Sequence, residues 1–183
     1  MTTTGAMTAR RLQAFFAHVA ALKRMPRRGW VQRGVPDPES VAAHSFGVAA
    51  LAAVTASAAG ADPARAALVA VIHDLAEALT GDVTPADGVP AGEKRRREME
   101  AARRILADVD PDGTLMAAWL DYAERRTPEG RLVKDLDKID MALQADAYAR
   151  EGTPAAATLR GSAERAIHAA EVRSLLPPAE RAT

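Results

Sequence analysis

The stretch VAVIHDLAEALTGD, Val69 to Asp82, decides how this chain is read. Its apolar run ends on His73 and Asp74 side by side, and ionisable groups are costly to bury without partners. Along a helix neighbouring residues point about 100° apart, so the two could converge on an ion lying in the angle between them. Glu77 follows at i+4 from His73 and i+3 from Asp74, a third polar group beside the pair. Gly81 lets the chain leave the helix, and Asp82 is presented just past the break. Taken alone, the pair reads as a partly buried helix carrying a capped histidine and a few surface acids.

Working outward, Asp62 followed by Pro63 starts the helix that delivers His73 and Asp74 near its far end. Upstream, Ser40 is an N-cap for a helix reaching about Ala58, apolar nearly all round and therefore central, with Gly60 as its stop. His44 lies within it and needs a partner. Between Pro26 and Pro38 the chain is irregular, basic and aromatic, with Arg27, Arg28, Arg33 and Trp30. The spacing of Leu12, Phe15, Phe16, Val19 and Leu22 predicts a first amphipathic helix over Ala9–Lys23, with His18 on the surface.

Downstream, TGDVTPADGVPAG is too broken by proline and glycine for a regular element and reads as a loop beside the site. Helices follow over Glu93–Val109, whose charges read as a solvated face paired at i,i+4, and over Thr114–Arg125. Pro128 and Gly130 introduce a helix bearing Asp137, and a last one runs from Ser162 to Leu176. No segment alternates as a strand does. The expected architecture is an all-α, single-domain helical bundle, with flexible tails at 1–8 and 177–183.

Lys+Arg and Asp+Glu both number 24, so no global field draws a polyanion, which argues for a small substrate and against nucleic acid. The absence of cysteine excludes thiolate metal sites and disulfides and suits a reducing cytoplasm. The N-terminal residues lack the pattern of a secretory signal, and the apolar run Val48–Ala59 is too short to span a bilayer, so no membrane association is expected.

Four segments together carry a family resemblance: LKRMPRRGWVQRGVPDPESVAAHS (Leu22–Ser45), HDLAEALTGDVTPAD (His73–Asp87), GEKRRREMEAA (Gly92–Ala102) and VKDLDKIDMALQADAY (Val133–Tyr148). In order and separation they resemble the HD-domain metal-dependent phosphohydrolases, in the branch containing the 5'-deoxynucleotidases, over approximately Leu12 to Glu151. The resemblance implies an HD-type helical bundle with His44, His73, Asp74 and Asp137 as metal ligands. It implies Glu77 and Asp82 as the acids around the attacking water and the leaving oxygen, assigned here to the water and to the leaving group respectively. No histidine lies between Leu75 and Leu136, where members with more metals carry extra ones, so one metal per chain is implied.

Two imidazoles and two carboxylates make a mixed site suited to a borderline divalent ion, manganese or cobalt first, with iron, nickel and zinc also compatible. Such an ion lowers the pKa of a coordinated water and polarises a phosphoryl oxygen, which is hydrolysis chemistry. A nucleoside 5'-monophosphate brings nearly two negative charges, so a planar cation is expected to grip it, with Arg27, Arg28 and Arg33 as candidates. In bacterial members an arginine directly precedes the tryptophan, whereas Gly29 intervenes here, which leaves the clamp open among the three. Trp30 could stack on sugar or base or serve as a core anchor. The implied activity is hydrolysis of deoxyribonucleoside 5'-monophosphates to deoxynucleoside and phosphate, by a homodimer. Other readings are hydrolysis of another small phosphate ester, or a helical metal-binding module without turnover.

Overall fold

Side-chain caps open four helices in the computed structural model, which describes residues 7–178: Ser40 and Asp62 as the sequence indicated, and Thr127 and Thr8, the last within the expected flexible tail. Thr8 accepts from the Arg11 N–H to open α1 (Ala9–Arg24), and Ser40 accepts from the Ala43 N–H to open α3 (Val41–Thr55). Asp62 accepts from the N–H groups of Ala64 and Arg65 at α4 (Pro63–Ile72). Thr127 caps α8 (Pro128–Arg150), and in both α4 and α8 proline occupies the first turn, where its missing N–H costs nothing. Between them lie α2 (Arg28–Val31), α5 (Glu77–Thr80), α6 (Ala91–Leu106) and α7 (Thr114–Glu124), and α9 (Ala157–Ala166) and α10 (Ala170–Arg173) follow. The expected flexible tails fall largely on residues 1–6 and 179–183, outside the described part.

Helix α3 packs along α4 and against α8, with Val41, Val48, Ala52, Ala66, Val69, Val133 and Leu136 at zero exposure between them. Alanines at these contacts let backbones approach closely. Where α7 meets α8 the approach is closer still: a Cβ on Gly130 would fall 2.0 Å from the Asp121 carbonyl oxygen. A second cluster gathers Trp30, Val35, Ala145, Tyr148 and Ala156 at the far end of α8. Between them these packings bring α3, the end of α4 and the middle of α8 to one place.

The structure corrects the sequence reading at four elements. Helix α4 ends at Ile72, so His73 is its C-cap and Asp74 stands in the turn that follows. The cause is local: His73 Nδ1 donates to the Ala70 carbonyl, the acceptor a continuing helix would offer Asp74, and tighter bonds from Leu75 to Ile72 and Glu77 to Asp74 replace the helical pattern. Glu77 thus begins α5 instead of lying one turn further along the same helix. The terminal helix is broken at Ile167, whose side chain plugs the core, because the Asp135 carboxylate accepts from the N–H groups of His168 and Ala169. On α1, Leu12 and Phe16 are exposed and Leu22 is the buried member of the stripe. The irregular segment after Pro26 contains α2, and an isolated antiparallel bridge, Pro26 to Ser40, ties its start to the start of α3.

Among the described residues no strand forms, and no helix is long and apolar enough to cross a membrane.

Candidate metal centre

Of the four residues expected as ligands, His44, His73 and Asp74 gather their ligand atoms within 4.8 Å of one another, and Asp137 joins them through His44. His44 Nε2 lies 3.3 Å from Asp137 Oδ1 and 3.8 Å from Asp74 Oδ2, and His73 Nε2 lies 3.1 Å from the same Asp74 oxygen. The histidines and Asp137 are at most 3% exposed. Both Nε2 atoms are fully buried, and among the described residues neither makes a well-aligned hydrogen bond, the carboxylate oxygens being the groups they face. Their other ring nitrogens explain how they point: His44 Nδ1 is 2.7 Å from Asp140 Oδ2 and His73 Nδ1 is 2.6 Å from the Ala70 carbonyl. With protons on Nδ1, both Nε2 lone pairs face carboxylate oxygens, an arrangement of acceptors only that a cation between them relieves.

The spacing fits such an ion. Ligand atoms about 2.1 Å from one divalent ion stand about 3 to 3.4 Å from each other; the His44–Asp137 and His73–Asp74 separations fall in that range, and the His44–Asp74 separation is wider at 3.8 Å. The field has the same sign: burial and Arg27 oppose a second proton on His44, yet hydrogen bonds to Asp137 and Asp140 outweigh them and lift its pKa to about 9. Burial works against ionisation of Asp74 and Asp137 as well, but His73 and Arg27 hold Asp74, and Lys138 and His44 hold Asp137, below the usual carboxylate range.

Several residues that support the cluster were not singled out from sequence. Asp140 orients His44, and Gly47 on the facing helix leaves it room. Tyr122 donates to Asp137 Oδ2 at 2.7 Å and Lys138 donates to the same oxygen at 2.9 Å. Lys134, Lys138 and Asp140 stand at −3, +1 and +3 from Asp137, so the helical spacing around the aspartate was a usable signal.

The three candidate arginines separate clearly. Arg27 is the one beside the cluster, donating to Asp74 Oδ2 at 3.3 Å and standing 4.0 Å from Asp82 Oδ2. Burial opposes its charge, but Asp74 and Asp82 hold the guanidinium more firmly protonated than usual. Arg28 points outward to Asp87 at 2.6 Å, while its N–H donates to Asp82 Oδ2 at 2.8 Å. Arg33 donates to Thr158 Oγ1 and the Gly29 carbonyl on the cavity wall. Trp30 is a core anchor: it is 1% exposed, its Nε1 donates to Glu39 Oε1 at 2.9 Å, and its ring meets Tyr148 edge-on at 5.3 Å.

Glu77 is 5% exposed, its Oε2 has no partner, and burial with Asp74 and Asp82 nearby pushes its pKa well above the ordinary range. On α6, Arg96 and Arg97 pair with Glu93 as expected of a solvated face, but Lys94 and Glu98 turn to the site. Lys94 Nζ reaches the Val83 carbonyl at 2.8 Å and lies 3.5 Å from Glu98. Two cavities open on the cluster, one of about 620 Å³ toward α2 and the 81–87 loop and one of about 290 Å³ toward α6 and α7.

Fold and cluster together define a class. Residues 19–175 match the family model described as HD domain, and the chain belongs to that family. Within it the chain is similar to proteins named 5'-deoxynucleotidase: HDDC2 of Bos taurus, 42% identical over 142 residues, 76% of this chain and 69% of that one. A similar match, 35% identical over 147 residues, is hdd1 of Schizosaccharomyces pombe, covering 75% of this chain and 72% of that one. Among solved structures, the PH0347 protein of Pyrococcus horikoshii aligns over 91% of this chain and 92% of its own, with 32% identity and a TM-score of 0.73.

Proposed function

We propose that this protein is a metal-dependent phosphomonoesterase, a 5'-deoxynucleotidase that converts deoxyribonucleoside 5'-monophosphates to deoxynucleoside and phosphate. The observation that carries the reading is the pair of buried, unpartnered His44 and His73 Nε2 atoms aimed at the Asp74 and Asp137 carboxylates. The names of the relatives at 35% and 42% identity support the choice of substrate. His44, His73, Asp74 and Asp137 would hold a divalent transition metal, manganese or cobalt by preference, which would lower the pKa of a coordinated water and polarise a phosphoryl oxygen.

The chain's own groups supply the rest. Glu77, buried beside Asp74 and raised in pKa, is the base that takes a proton from the attacking water as the new O–P bond forms. The P–O5' bond breaks toward Asp82, which in its acid form gives its proton to the departing alkoxide and regains one from solvent. Asp82 is fixed there by the Arg28 N–H, and Arg27 ties Asp82 to Asp74. Helix α3 is apolar on its outer face too, with Phe46 and Val54 at 75% and 77% exposure, which supports a homodimer formed through this face. A cysteine-free enzyme acting on free nucleotides is assigned to the cytoplasm.

The test is phosphate release from a panel of deoxyribo- and ribonucleoside 5'-monophosphates by purified protein supplied with manganese or cobalt. Preference for the deoxy series is expected. Equal rates on ribonucleotides would remove the sugar preference, and no release from any of them would remove the reading.

A further inference from the structure

The two cavities at the cluster share Asp74, Glu77, Lys94, Tyr122 and Lys134 in their walls. The larger is bounded partly by Met141, Leu159 and Pro85, surfaces suited to a nucleoside. The smaller runs past His73 between α6 and α7, with Lys134 and the Trp119 ring in its wall. Trp119 is 3% exposed and its Nε1 is buried with no acceptor among the described residues. The Lys134 ammonium has no carboxylate within ion-pair distance among the described residues and rests 3.7 Å from the centroid of the Tyr122 ring.

Other cations around the cluster are engaged: Arg27 by Asp74, Lys138 by Asp137, Lys94 by Glu98, and Arg33 by Thr158 and Gly29. Burial lowers the Lys134 pKa, with Lys138 and Arg125 adding to it and Asp137 opposing, so the charged amine sits in a place that gains from an anion. The Trp119 N–H, lying behind the wall of the same cavity, is an unpaired buried donor that costs free energy until an acceptor reaches it.

We propose that the smaller cavity is an oxyanion subsite, in which Lys134 Nζ and Trp119 Nε1 donate to the oxygens of the substrate's phosphate group and of the inorganic phosphate released. The proposal rests on the nucleotidase reading and divides the site: nucleoside in the larger cavity, phosphate in the smaller. Arg27, already shared between two carboxylates, then holds the protein side of the site together and leaves the phosphate to Lys134.

The experiment uses metal-loaded protein and inorganic phosphate. The chain has 2 tryptophans and Trp30 borders the larger cavity, so a saturable change in indole emission on adding phosphate that persists in Trp30→Phe reports Trp119. Phosphate should inhibit nucleotide hydrolysis competitively over the same concentrations. Lys134→Met keeps an apolar stem over Tyr122 and should weaken phosphate inhibition and raise KM roughly 10- to 100-fold, with unchanged metal content by elemental analysis. Lys134→Arg should recover most of the loss. Trp119→Phe, which removes the N–H and keeps a ring, should cost roughly 3- to 10-fold. If Lys134→Met and Trp119→Phe both leave KM and phosphate inhibition within twofold of wild type, the subsite is wrong. Lys134-dependent phosphate binding by a protein that hydrolyses no nucleotide would instead uphold the subsite and defeat the nucleotidase reading.

Discussion

Gly47→Ala tests the proposed metal centre without touching any of its ligands. Gly47 lies on α3 one turn minus a residue beyond His44 and faces Asp140 on α8; an added Cβ would stand 2.3 Å from Asp140 Oδ1 and 3.2 Å from its Cγ. Ordinary contact begins at 3.4 Å, so the carboxylate must withdraw by about 1 Å or α3 must back away from α8. Both movements stretch the 2.7 Å contact from Asp140 Oδ2 to His44 Nδ1 beyond hydrogen-bonding distance. A charge-assisted hydrogen bond of this kind contributes about 1.5 to 3 kcal/mol, and losing the partner that orients a ligating histidine lowers metal affinity by roughly 10- to 100-fold. The assay is manganese binding by calorimetry or by competition with a chelator, with phosphate release measured alongside and circular dichroism to establish that the variant is helical. Asp140→Asn should weaken metal in the same way without any steric change. If folded Gly47→Ala binds manganese as tightly as wild type and turns over at the same rate, the coupling of Asp140 to His44 has no functional weight.

Glu77→Gln should bind metal like wild type but lose roughly 100- to 10,000-fold in kcat, and the acid limb of the pH–rate profile, along which the raised Glu77 loses its proton, should flatten. The same variant should stabilise the metal-free protein at neutral pH. A carboxyl whose folded pKa is raised makes the native state bind more protons than the unfolded one, so its contribution falls as pH climbs from 4.5 toward the folded value. Thermal denaturation across pH reads this, about 2–4 °C in Tm for each kcal/mol relieved. Trp30→Phe should lower stability by about 1–3 kcal/mol, because the half-buried Glu39 loses its donor, and should leave base selectivity untouched; altered selectivity would mean that Trp30 does contact substrate. Phe46→Glu should yield monomers by analytical ultracentrifugation, and a wild-type protein already monomeric would refute the proposed use of the α3 face.

The helical class and most helix starts were legible in the sequence because they are local matters. Ser40 and Asp62 with Pro63 cap N–H groups two or three residues away, Pro128 marks a first turn, and apolar spacing marks the faces that must be covered. That His44, His73 and Asp74 would come together was also legible, through the order and separation of whole segments. What the sequence could not order was everything that depends on side chains meeting across helices. It could not rank Arg27 above Arg28 and Arg33, since the Pro26–Ser40 bridge and the position of Asp74 decide which guanidinium reaches the cluster. It could not foresee that Asp135 would pull the chain out of its last helix at Ile167, because the acceptor lies more than 30 residues earlier. Nor could it tell the Lys94 and Glu98 face of α6 from a solvated one, as the charges look the same until Val83 and the cavity are folded against them. Local hydrogen bonding and burial patterns act within a few residues and can be read along the chain; orientation, pairing and the energy of an unfilled donor such as Trp119 Nε1 exist only once distant helices have packed.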